Sequence, residues 1–393
     1  MEYVRCRSET KDLPRPRIQE GNMISRKLGL LSILVATCSL ANAQSSVTLY
    51  GVLDTGITYI NNTGGASVVK MDDGVYYPNR WGMKGVEDLG GGLKAIFTLE
   101  GGFSVDSGAL GQGGLLFGRQ AFVGLQSDYG KITLGHQYDS VYDFINDFQV
   151  GENASGYGLH PGDLDRTAGE RLDNAIKYTS PNIRGFTVSG LYSFSNTAGS
   201  FHDGSAWSAG GSYEYGPFSL GLAYISQTKT TIDPYGQLGV KSLLGQTVAT
   251  VDTTSGQVTD TESSFELDKK TTFAIGGSWE ATKKLTFYAN FTDTMLKKSS
   301  VSSYMRVYEG GAQYYIRPDL QVTGAYLHAT LEGNRWNQAS ASIMYLLSKQ
   351  TMIVFGVDAT RVSGNVDAEI GYGFTPSSTS TQADVRLGIT HKF

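Results

Sequence analysis

From Gln44 to the C-terminus, apolar and polar side chains alternate in segments of about ten residues, the length of a strand that crosses a bilayer. In residues 285–292, Leu, Phe, Ala and Phe at one parity alternate with Thr, Tyr, Asn and Thr at the other. A period of two is that of a β-strand whose faces meet two different environments. The alternation therefore predicts an all-β chain of many strands, either a soluble sandwich or a membrane barrel.

Two kinds of connector alternate between these segments. Short connectors, rich in residues that accept tight-turn dihedral angles, lie at 88–92, 128–130, 181–185, 215–217, 280–283, 317–319 and 348–350. Longer connectors lie at 61–76, 103–115, 139–170, 196–203, 229–265, 297–303, 332–334 and 363–379. This sorting predicts a barrel of about sixteen antiparallel strands, with short periplasmic turns on one rim and long extracellular loops on the other.

The two ends of the alternating region favour a closed membrane barrel over a sandwich. The last segment alternates up to a terminal Phe393, which shares its parity with Leu387 and Ile389. Aromatic residues recur near segment ends, where rings with a polar tip meet lipid headgroups. Lipid tolerates no open sheet edge, so the first strand, about 46–60, is predicted to pair with the last, about 380–393. A transmembrane barrel of this width leaves an aqueous channel.

The N-terminus contains a predicted export signal. Residues 23–43 combine a basic start, an apolar stretch and the small-x-small site Ala41-Asn-Ala43, as in a secretory signal peptide. The apolar stretch is too short to span a membrane as a helix. Residues 1–22 show no such pattern and are interpreted as a mis-assigned translation start or a leader extension. Residues 44–393 are then a single barrel domain; a lipid-attached Cys38 is the alternative interpretation of the leader.

The sequence contains no recognisable catalytic or metal-binding motif. Both cysteines precede Gln44, and the five histidines lack metal-ligand spacing. The glycine-rich stretch 82–92 is interpreted as strand–turn–strand, because no helix N-terminus follows it to hold phosphate. Residues 1–43 hold seven basic and four acidic residues, so the net charge is −5 for the whole chain and −8 from Gln44 onward. We predict no enzyme activity, no cofactor, no metal and no nucleic-acid partner.

Several cations stand at the parity that is predicted to face water. Arg80 and Lys84 alternate with apolar residues, and Arg171 and Lys177 follow the same rule in a later segment. A charge on the lipid face at mid-depth costs about 2–4 kcal/mol, whereas a charge inside a wide barrel costs little and acts on passing ions. These four residues are predicted to line the pore; a solvated wall with no special role is the alternative.

The connector 139–170 combines acidic with bulky apolar residues. Its acids include Asp143, Asp147 and Glu152, and tyrosine, phenylalanine and isoleucine lie among them. An exposed loop tip has no need of such apolar content, so this third loop is predicted to fold into the lumen. Its acids would then face the wall cations across the narrowest point of the pore. The longer connector 229–265 is rich in Thr, Ser and Gly, which favours an exposed, mobile tip.

Six stretches of the chain match a known family. They are SVTLYGVLDTG (46–56), RWGMKGVEDLGGGLKA (80–95), FGRQAFVGL (117–125), TLGHQY (133–138), NAIKYTSP (174–181) and GITHKF (388–393). With these motifs the chain resembles the trimeric general porins of Gram-negative outer membranes, of the beta-proteobacterial type. The opening and closing motifs are the most specific of the six.

The resemblance implies a function and a set of partners. It implies a sixteen-stranded barrel, three per assembly, that is surrounded by outer-membrane lipid and lipopolysaccharide. Small hydrophilic solutes and ions would pass through its pore by passive diffusion. The family's positive cluster on the pore wall would correspond to Arg80, Arg119 and Arg171. Phe393 would be the signal that the barrel-assembly machinery recognises.

Two positions depart from what the resemblance implies. His136 replaces the arginine usual in the family's Leu-Gly-Arg-Gln pattern, so one pore charge would be weakened or pH-dependent. Arg119 shares its parity with Val123 and Leu125, so a bulge or a place near the rim is needed to turn it inward. A substrate-specific channel remains an alternative, because tyrosines such as Tyr288 stand on the lumen parity. An adhesin-type barrel is a further alternative.

Overall fold

The computed structural model of the chain describes residues 45–252, 254, 257–371 and 374–393. Within them, a seventeen-stranded antiparallel sheet closes on itself, and two short two-stranded sheets lie in one of its loops. The predicted signal peptide (23–43) and the preceding segment 1–22 lie outside the described residues.

The bounds of the elements follow the alternating segments of the sequence. The strands are β1 (Ser46–Thr63), β2 (Ala66–Asp73), β3 (Arg80–Gly90), β4 (Leu93–Gly102), β5 (Gln120–Ser127), β6 (Gly130–Tyr138), β7 (Arg171–Thr179), β8 (Phe186–Ser193), β9 (Ala206–Tyr215), β10 (Phe218–Ile232), β11 (Ser242–Leu243), β12 (Gln246–Thr247), β13 (Ala249–Val251), β14 (Val258–Asp260), β15 (Phe265–Thr282), β16 (Leu285–Lys298), β17 (Val301–Arg317), β18 (Leu320–Leu331), β19 (Asn334–Leu346), β20 (Thr351–Ser363) and β21 (Thr381–Lys392). Short α-helices lie at α1 (Ser140–Ile145), α2 (Val150–Ser155) and α3 (Pro234–Leu238), and 3₁₀ turns at Gln112–Gly114, Asn146–Phe148 and Pro161–Asp163.

The first and last strands close the barrel, as predicted. Along one edge, β1 pairs antiparallel with β21, beginning with Val52 opposite Lys392. Beyond this pair, Phe393 and Gly51 exchange two backbone hydrogen bonds of 3.0 Å. The Phe393 ring covers Gly51 so closely that a Cβ there would lie 2.2 Å from a ring carbon. A glycine at position 51 is therefore required for the terminal ring to close the seam.

The other edge of β1 explains why seventeen strands make a sixteen-position wall. Residues 46–52 pair with β3, whereas residues 55–63 pair with β2. The segment 74–79 links β2 to β3, and the Gly74 amide donates to the Asp54 carbonyl at 2.9 Å. β2 and β3 thus share one place in the wall, and the predicted count of sixteen is confirmed.

The connectors agree with the sequence except at two places on the loop rim. All seven predicted short turns join consecutive strands. The connectors predicted as long loops at 297–303 and 332–334 are instead two-residue turns. In the second of these, Glu332 and Gly333 both adopt positive φ, 48° and 81°, which matches the twist of a tight hairpin. Polar composition alone did not distinguish these turns from loops.

The two faces of the wall differ as the alternation predicts. On β21, Leu387 and Ile389 point outward and are exposed, whereas Arg386 and Thr390 point inward and are buried. On β5, Val123 is outward and more than half exposed. The outward side chains form the apolar surface that a barrel presents to lipid, and polar groups point to the interior.

The prediction of an exposed tip for the connector 229–265 is wrong. Leu238, Val240, Leu243 and Val248 of this connector are fully buried. They pack inside the barrel mouth against inward-facing residues of β15–β20 and against the loop 364–380. The scattered leucines and valines supply enough apolar area for a packed core, which outweighs the Thr, Ser and Gly content.

Candidate pore constriction

The third loop, residues 139–170 (the inner loop), folds into the lumen, as predicted. Asp139 caps α1 by accepting from the amides of Val141, at 2.7 Å, and Tyr142, at 3.4 Å. The second Asp139 oxygen accepts from Arg166 Nε at 2.6 Å, near the other end of the loop. Both side chains are buried, so this ion pair holds the two stems of the inner loop together.

Helix α1 is placed by its apolar face. Val141 and Ile145, four residues apart, are fully buried against Leu191 of β8 and Ala223 of β10. The opposite side of the turn carries Asp143, which is exposed together with Asp147 just beyond the helix. Helical spacing therefore anchors the loop to one side of the wall. It turns Asp143 toward Lys177 of β7 and Asp147 toward water.

Helix α2 is anchored to the wall by polar contacts. The Gly151 amide donates to Glu309 of β17 at 2.6 Å, and Ser155 Oγ donates to Asp358 of β20 at 2.8 Å. Asn146 donates to Glu152 Oε2 at 2.8 Å, which holds that carboxylate at the half-exposed edge of the loop. Among the described residues, no cation lies within 4 Å of the Glu152 carboxylate.

A buried histidine holds the C-terminal half of the inner loop in place. His160 Nδ1 lies 2.5 Å from Asp165 Oδ2, and Nε2 lies 3.2 Å from Glu309 Oε2 on the wall. Burial alone lowers the pKa of His160, but the two carboxylates outweigh it and raise that pKa to about 10. The imidazolium is therefore charged at neutral pH and bridges the loop to β17.

The segment 74–79 bounds the remaining passage. Tyr76 OH donates to the Asn153 carbonyl of the inner loop at 2.9 Å. Tyr77 packs edge-on against Tyr76, with ring centroids 5.2 Å apart. The segment 74–79 therefore lies inside the barrel, against the inner loop and beside β1 and β3.

Some of the predicted pore cations are neutralised by carboxylates. Arg119 Nε lies 2.8 Å from Glu100 Oε1, and Arg119 Nη2 donates to Tyr138 OH at 2.9 Å. Lys177 is paired with Asp143, so one cation of the wall is tied directly to the inner loop. Such pairs add little net charge to the lumen and hold the loop to the wall.

The inward direction of Arg119 has a local cause. β5 begins at Gln120, so Arg119 precedes the strand and is released from its alternation. Its amide still donates to the Glu100 carbonyl at 3.1 Å, which keeps its backbone against β4. Its place at the loop end of the strand lets the guanidinium turn inward, and it is only 4 % exposed.

Other cations lie against tyrosine rings. Lys84 Nζ lies 5.5 Å from the Tyr50 ring centroid, and Arg171 lies 4.4 Å from that of Tyr138. Ring faces attract a cation without cancelling its charge. Arg171 also donates to Tyr138 OH, so the same tyrosine positions both Arg119 and Arg171.

Arg80 is only weakly paired with a carboxylate. Its Nε is 3.9 Å from Glu100 Oε2, beyond hydrogen-bond distance, and Nη1 donates to the Pro78 carbonyl at 3.3 Å. Glu100 is already engaged by Arg119 and by Tyr50 OH, at 2.9 Å. Arg80 therefore retains most of its charge at the edge of the lumen.

His136 lies at a different face from the other predicted residues. The register places it opposite Ala121, on the face that carries Val123 and Leu134. Its Nδ1 lies 2.5 Å from Asp173 Oδ1, and Nε2 lies 3.0 Å from the Gly118 carbonyl. Asp173 is largely exposed on the same side. The pairing thus directs this histidine toward the outside of the wall.

Several residues of the constriction were not singled out from the sequence. They are Tyr50, Tyr77, Glu100, Tyr138 and Lys392. Glu100 and Tyr50 stand on inward parities beside Arg80, so a comparison of neighbouring strands could have found them. Tyr77 and Tyr138 depend on loop geometry that no sequence period reports.

In the described part of the chain, no group of three or more His, Cys, Asp or Glu residues could hold a metal ion, and no helix is long and apolar enough to cross a membrane.

Comparison with known proteins agrees with this geometry. The sequence model described as Gram-negative porin matches residues 31–365. The chain belongs to the Gram-negative porin family. This membership confirms the resemblance seen in the motifs and places the porin in the outer membrane.

Individual relatives cover parts of this porin. An outer membrane porin protein of Bordetella pertussis is 36% identical over 42% of the chain and 46% of its own length. Outer membrane porin protein 32 of Delftia acidovorans is 33% identical over 53% of the chain and 61% of its own length. The chain thus spans about half the length of the curated relatives it matches. Both relatives are named as outer membrane porins.

Solved structures share the fold of this porin. The anion-selective porin from Comamonas acidovorans superimposes with a TM-score of 0.73 at 23% identity, over 89% of this chain and the whole of that one. OmpT of Vibrio cholerae gives a TM-score of 0.61 at 12% identity. At these identities the likeness confirms the barrel fold alone.

Proposed function

We propose that this porin is a general diffusion channel for small hydrophilic solutes and ions, with a preference for anions. The proposal needs no catalytic step and no energy coupling, because a wide barrel interior lets solutes cross by diffusion alone. Supporting it are the family membership and the exposed charged side chains inside the barrel, such as Lys84 and Asp147.

The main support for a preference for anions is the unequal pairing of charges at the constriction. Asp143 is neutralised by Lys177, and Arg119 by Glu100. Arg80 and the exposed Lys84 have no carboxylate within hydrogen-bond distance among the described residues. On the inner loop, burial raises the pKa of Glu152 to about 8, so Asp147 is the remaining unpaired acid among the three predicted there. The excess of positive charge attracts anions, even though the chain as a whole is acidic.

Single-channel recording in planar bilayers tests the proposal. We expect an ohmic channel whose reversal potential in a KCl gradient shows a higher permeability for chloride than for potassium. Raising the salt concentration should weaken the preference, because it screens the wall charges. A protein that conducts no current, or a channel that prefers potassium, would contradict the proposal.

The assembly is part of the proposal. Exposed apolar residues, Leu115 and Leu116, lie in the loop 103–119, and the Leu116 carbonyl would be 2.2 Å from a Cβ at outward-facing Gly101. This loop therefore crosses the outer face of the wall, where a second copy can cover it. We infer a homotrimer, and conductance steps in groups of three would support it.

The remaining partners follow from the outer surface. The apolar outward residues suit membrane lipid and the acyl chains of lipopolysaccharide. The exposed ring of Phe393 at the seam is proposed as the signal for the barrel-assembly machinery. Removing Phe393 is expected to reduce the amount of folded protein in the outer membrane more than it reduces refolding in detergent.

A substrate-specific channel is the second candidate, and the lumen tyrosines favour it. Tyr50, Tyr77 and Tyr138 all lie against cations, and inward-facing Tyr288 donates to Gln313 at 3.0 Å. Rings beside cations suit an anion with a planar apolar body. Saturable block of the chloride current by one such solute would favour this candidate over general diffusion.

A further inference from the structure

Two cations flank one residue of the seam strand. Val52 of β1 pairs with Arg80 of β3 on one edge and with Lys392 of β21 on the other. Neighbouring strands lie about 4.8 Å apart, so the backbones of the two cationic residues are about 10 Å apart. Val52 is buried between them. A row across three strands therefore carries a guanidinium and an ammonium on the inner face.

Lys392 points into the lumen although it is the penultimate residue. It continues the inward parity of Arg386 and Thr390, whereas His391 and Phe393 are exposed on the outside. Its amide donates to the Gln350 carbonyl at 2.8 Å, in the short turn 347–350. Lys392 therefore lies at the short-turn end of β21, beside the passage that leads away from the constriction.

The Lys392 ammonium is held by a ring and not by an acid. Its Nζ lies 3.9 Å from the Tyr77 ring centroid. Within the described residues, no carboxylate oxygen lies within 4 Å of this nitrogen. Arg80 and Lys392 lie on either side of Val52, so the two cations share one region of the inner face. Both charges are thus available to a passing anion.

We propose that Lys392 is a second specificity-determining residue. Together with Arg80 it forms a weak, transient binding site for doubly charged oxyanions. The inference deepens the proposed diffusion function and rests on it. A dianion is attracted twice as strongly as chloride by each unpaired cation, and a guanidinium adds directed hydrogen bonds to its oxygens. Tyr77 keeps the lysine side chain against the wall, so this binding site does not block the passage.

The test compares sulfate with chloride permeability in bi-ionic reversal potentials. A unit charge about 5 Å from the ion path in water favours a dianion over a monoanion by about fourfold. We therefore expect Lys392→Gln to lower the sulfate-to-chloride permeability ratio about fourfold, by the same Coulomb estimate. Lys392→Arg, which keeps the charge, should restore the ratio.

Lys349→Gln is the matched control. Lys349 is exposed in the same short turn as Gln350, whereas the cation over the Tyr77 ring is Lys392. Its removal should leave the sulfate-to-chloride ratio unchanged. An equal loss in Lys349→Gln and Lys392→Gln, or no loss in Lys392→Gln, would overturn the inference.

Folding and function are kept apart in this test. All variants are refolded in detergent from denatured chain, so recognition by the assembly machinery does not limit them. If Lys392→Gln does not refold, Tyr77→Leu releases the ammonium from its ring and should lower the ratio by a smaller factor; an unchanged ratio would overturn the inference. A wild-type protein without conductance would refute the channel itself, whereas an anion-preferring wild type with an insensitive ratio refutes only the role of Lys392.

Discussion

The inner surface of this porin has two unlike halves. On β15–β20 the inner face is covered by loop residues, and side chains such as Phe265, Val307 and Trp336 are buried beneath them. On β1 and β3–β6, which we call the open half, the inner face lies outside this loop core and carries the exposed Lys84 and the half-buried Arg80. Both halves have the same strand geometry and an apolar outer face, so the loops decide where water flows.

The comparison shows how a wide barrel can be made narrow on one side. Near the loop rim the inner face of the covered half is apolar: Met305 and Val307 of β17 are buried inside, whereas Tyr308 is exposed outside. The open half keeps alternation between apolar outward and polar inward residues, and there the charges remain accessible to ions.

The largest expected effect is on the covered half. Trp336 is 1 % exposed within the loop core, so Trp336→Ala is expected to cost about 3–5 kcal/mol. Trp279→Ala is the matched control, because Trp279 is exposed on the outer face, where detergent covers it. The temperature at which the folded band is lost on semi-native gels measures the difference. Equal shifts in the two variants would mean that the loop core does not stabilise the barrel.

The next effect concerns the tether between the inner loop and the wall. Removing one partner of a buried charge pair costs about 3 kcal/mol or more, so His160→Gln should lower the thermal stability at pH 6. Because the pKa of His160 is raised to about 10 in the folded protein, its contribution is full below its usual pKa and is lost as the pH rises through 10.

The pH profile distinguishes this tether from ordinary packing. The stability of the wild type should decline toward that of His160→Gln between neutral pH and pH 10, because the deprotonated imidazole no longer attracts Asp165 and Glu309. A constant gap between the two proteins across this range would show that His160 is not charged in the folded state.

A smaller effect separates unpaired from paired cations on the open half. Arg80→Ala removes an unpaired charge and should reduce the chloride preference by a few-fold. The double variant Lys177→Gln with Asp143→Asn removes a neutral pair and should leave the preference unchanged. Reversal potentials in a KCl gradient measure both. If the double variant changes selectivity as much as Arg80→Ala, the paired and unpaired groups do not differ in the way proposed.

The smallest effect is expected at His136. Its register places it outside the lumen, so His136→Gln should change neither conductance nor selectivity. The contact of His136 with the exposed Asp173 contributes at most about 1 kcal/mol. A pH-dependent selectivity that this substitution abolishes would return His136 to the pore lining.

The sequence predicted the wall more completely than the interior. Strand number, closure by residues 380–393 and the inward parity of Arg80 follow from local alternation and from the ban on open edges in lipid. The inward course of the inner loop followed from its apolar content. These features depend on periodicity and burial, which single residues and their neighbours reveal.

The interior depended on contacts that are distant in sequence. Glu100 neutralises Arg119, and Asp143 neutralises Lys177, through contacts that no spacing encodes. The exposed tip predicted for the longest loop was wrong, because leucines and valines spaced through a polar segment were not weighed against the apolar inner faces of β17 and β18. The outward position of His136 follows from its register opposite Ala121, which the family pattern did not reveal.

Cysteine accessibility tests the division of the lumen most directly. The chain has no cysteine after Gln44, so single cysteines can be placed at Lys84, on the open half, and at Leu327, buried in the loop core. A negatively charged thiol reagent added to open channels should react with Lys84→Cys and reduce the chloride current, and should leave Leu327→Cys unmodified. Rapid reaction at position 327 with a fall in current, or none at position 84, would contradict the account.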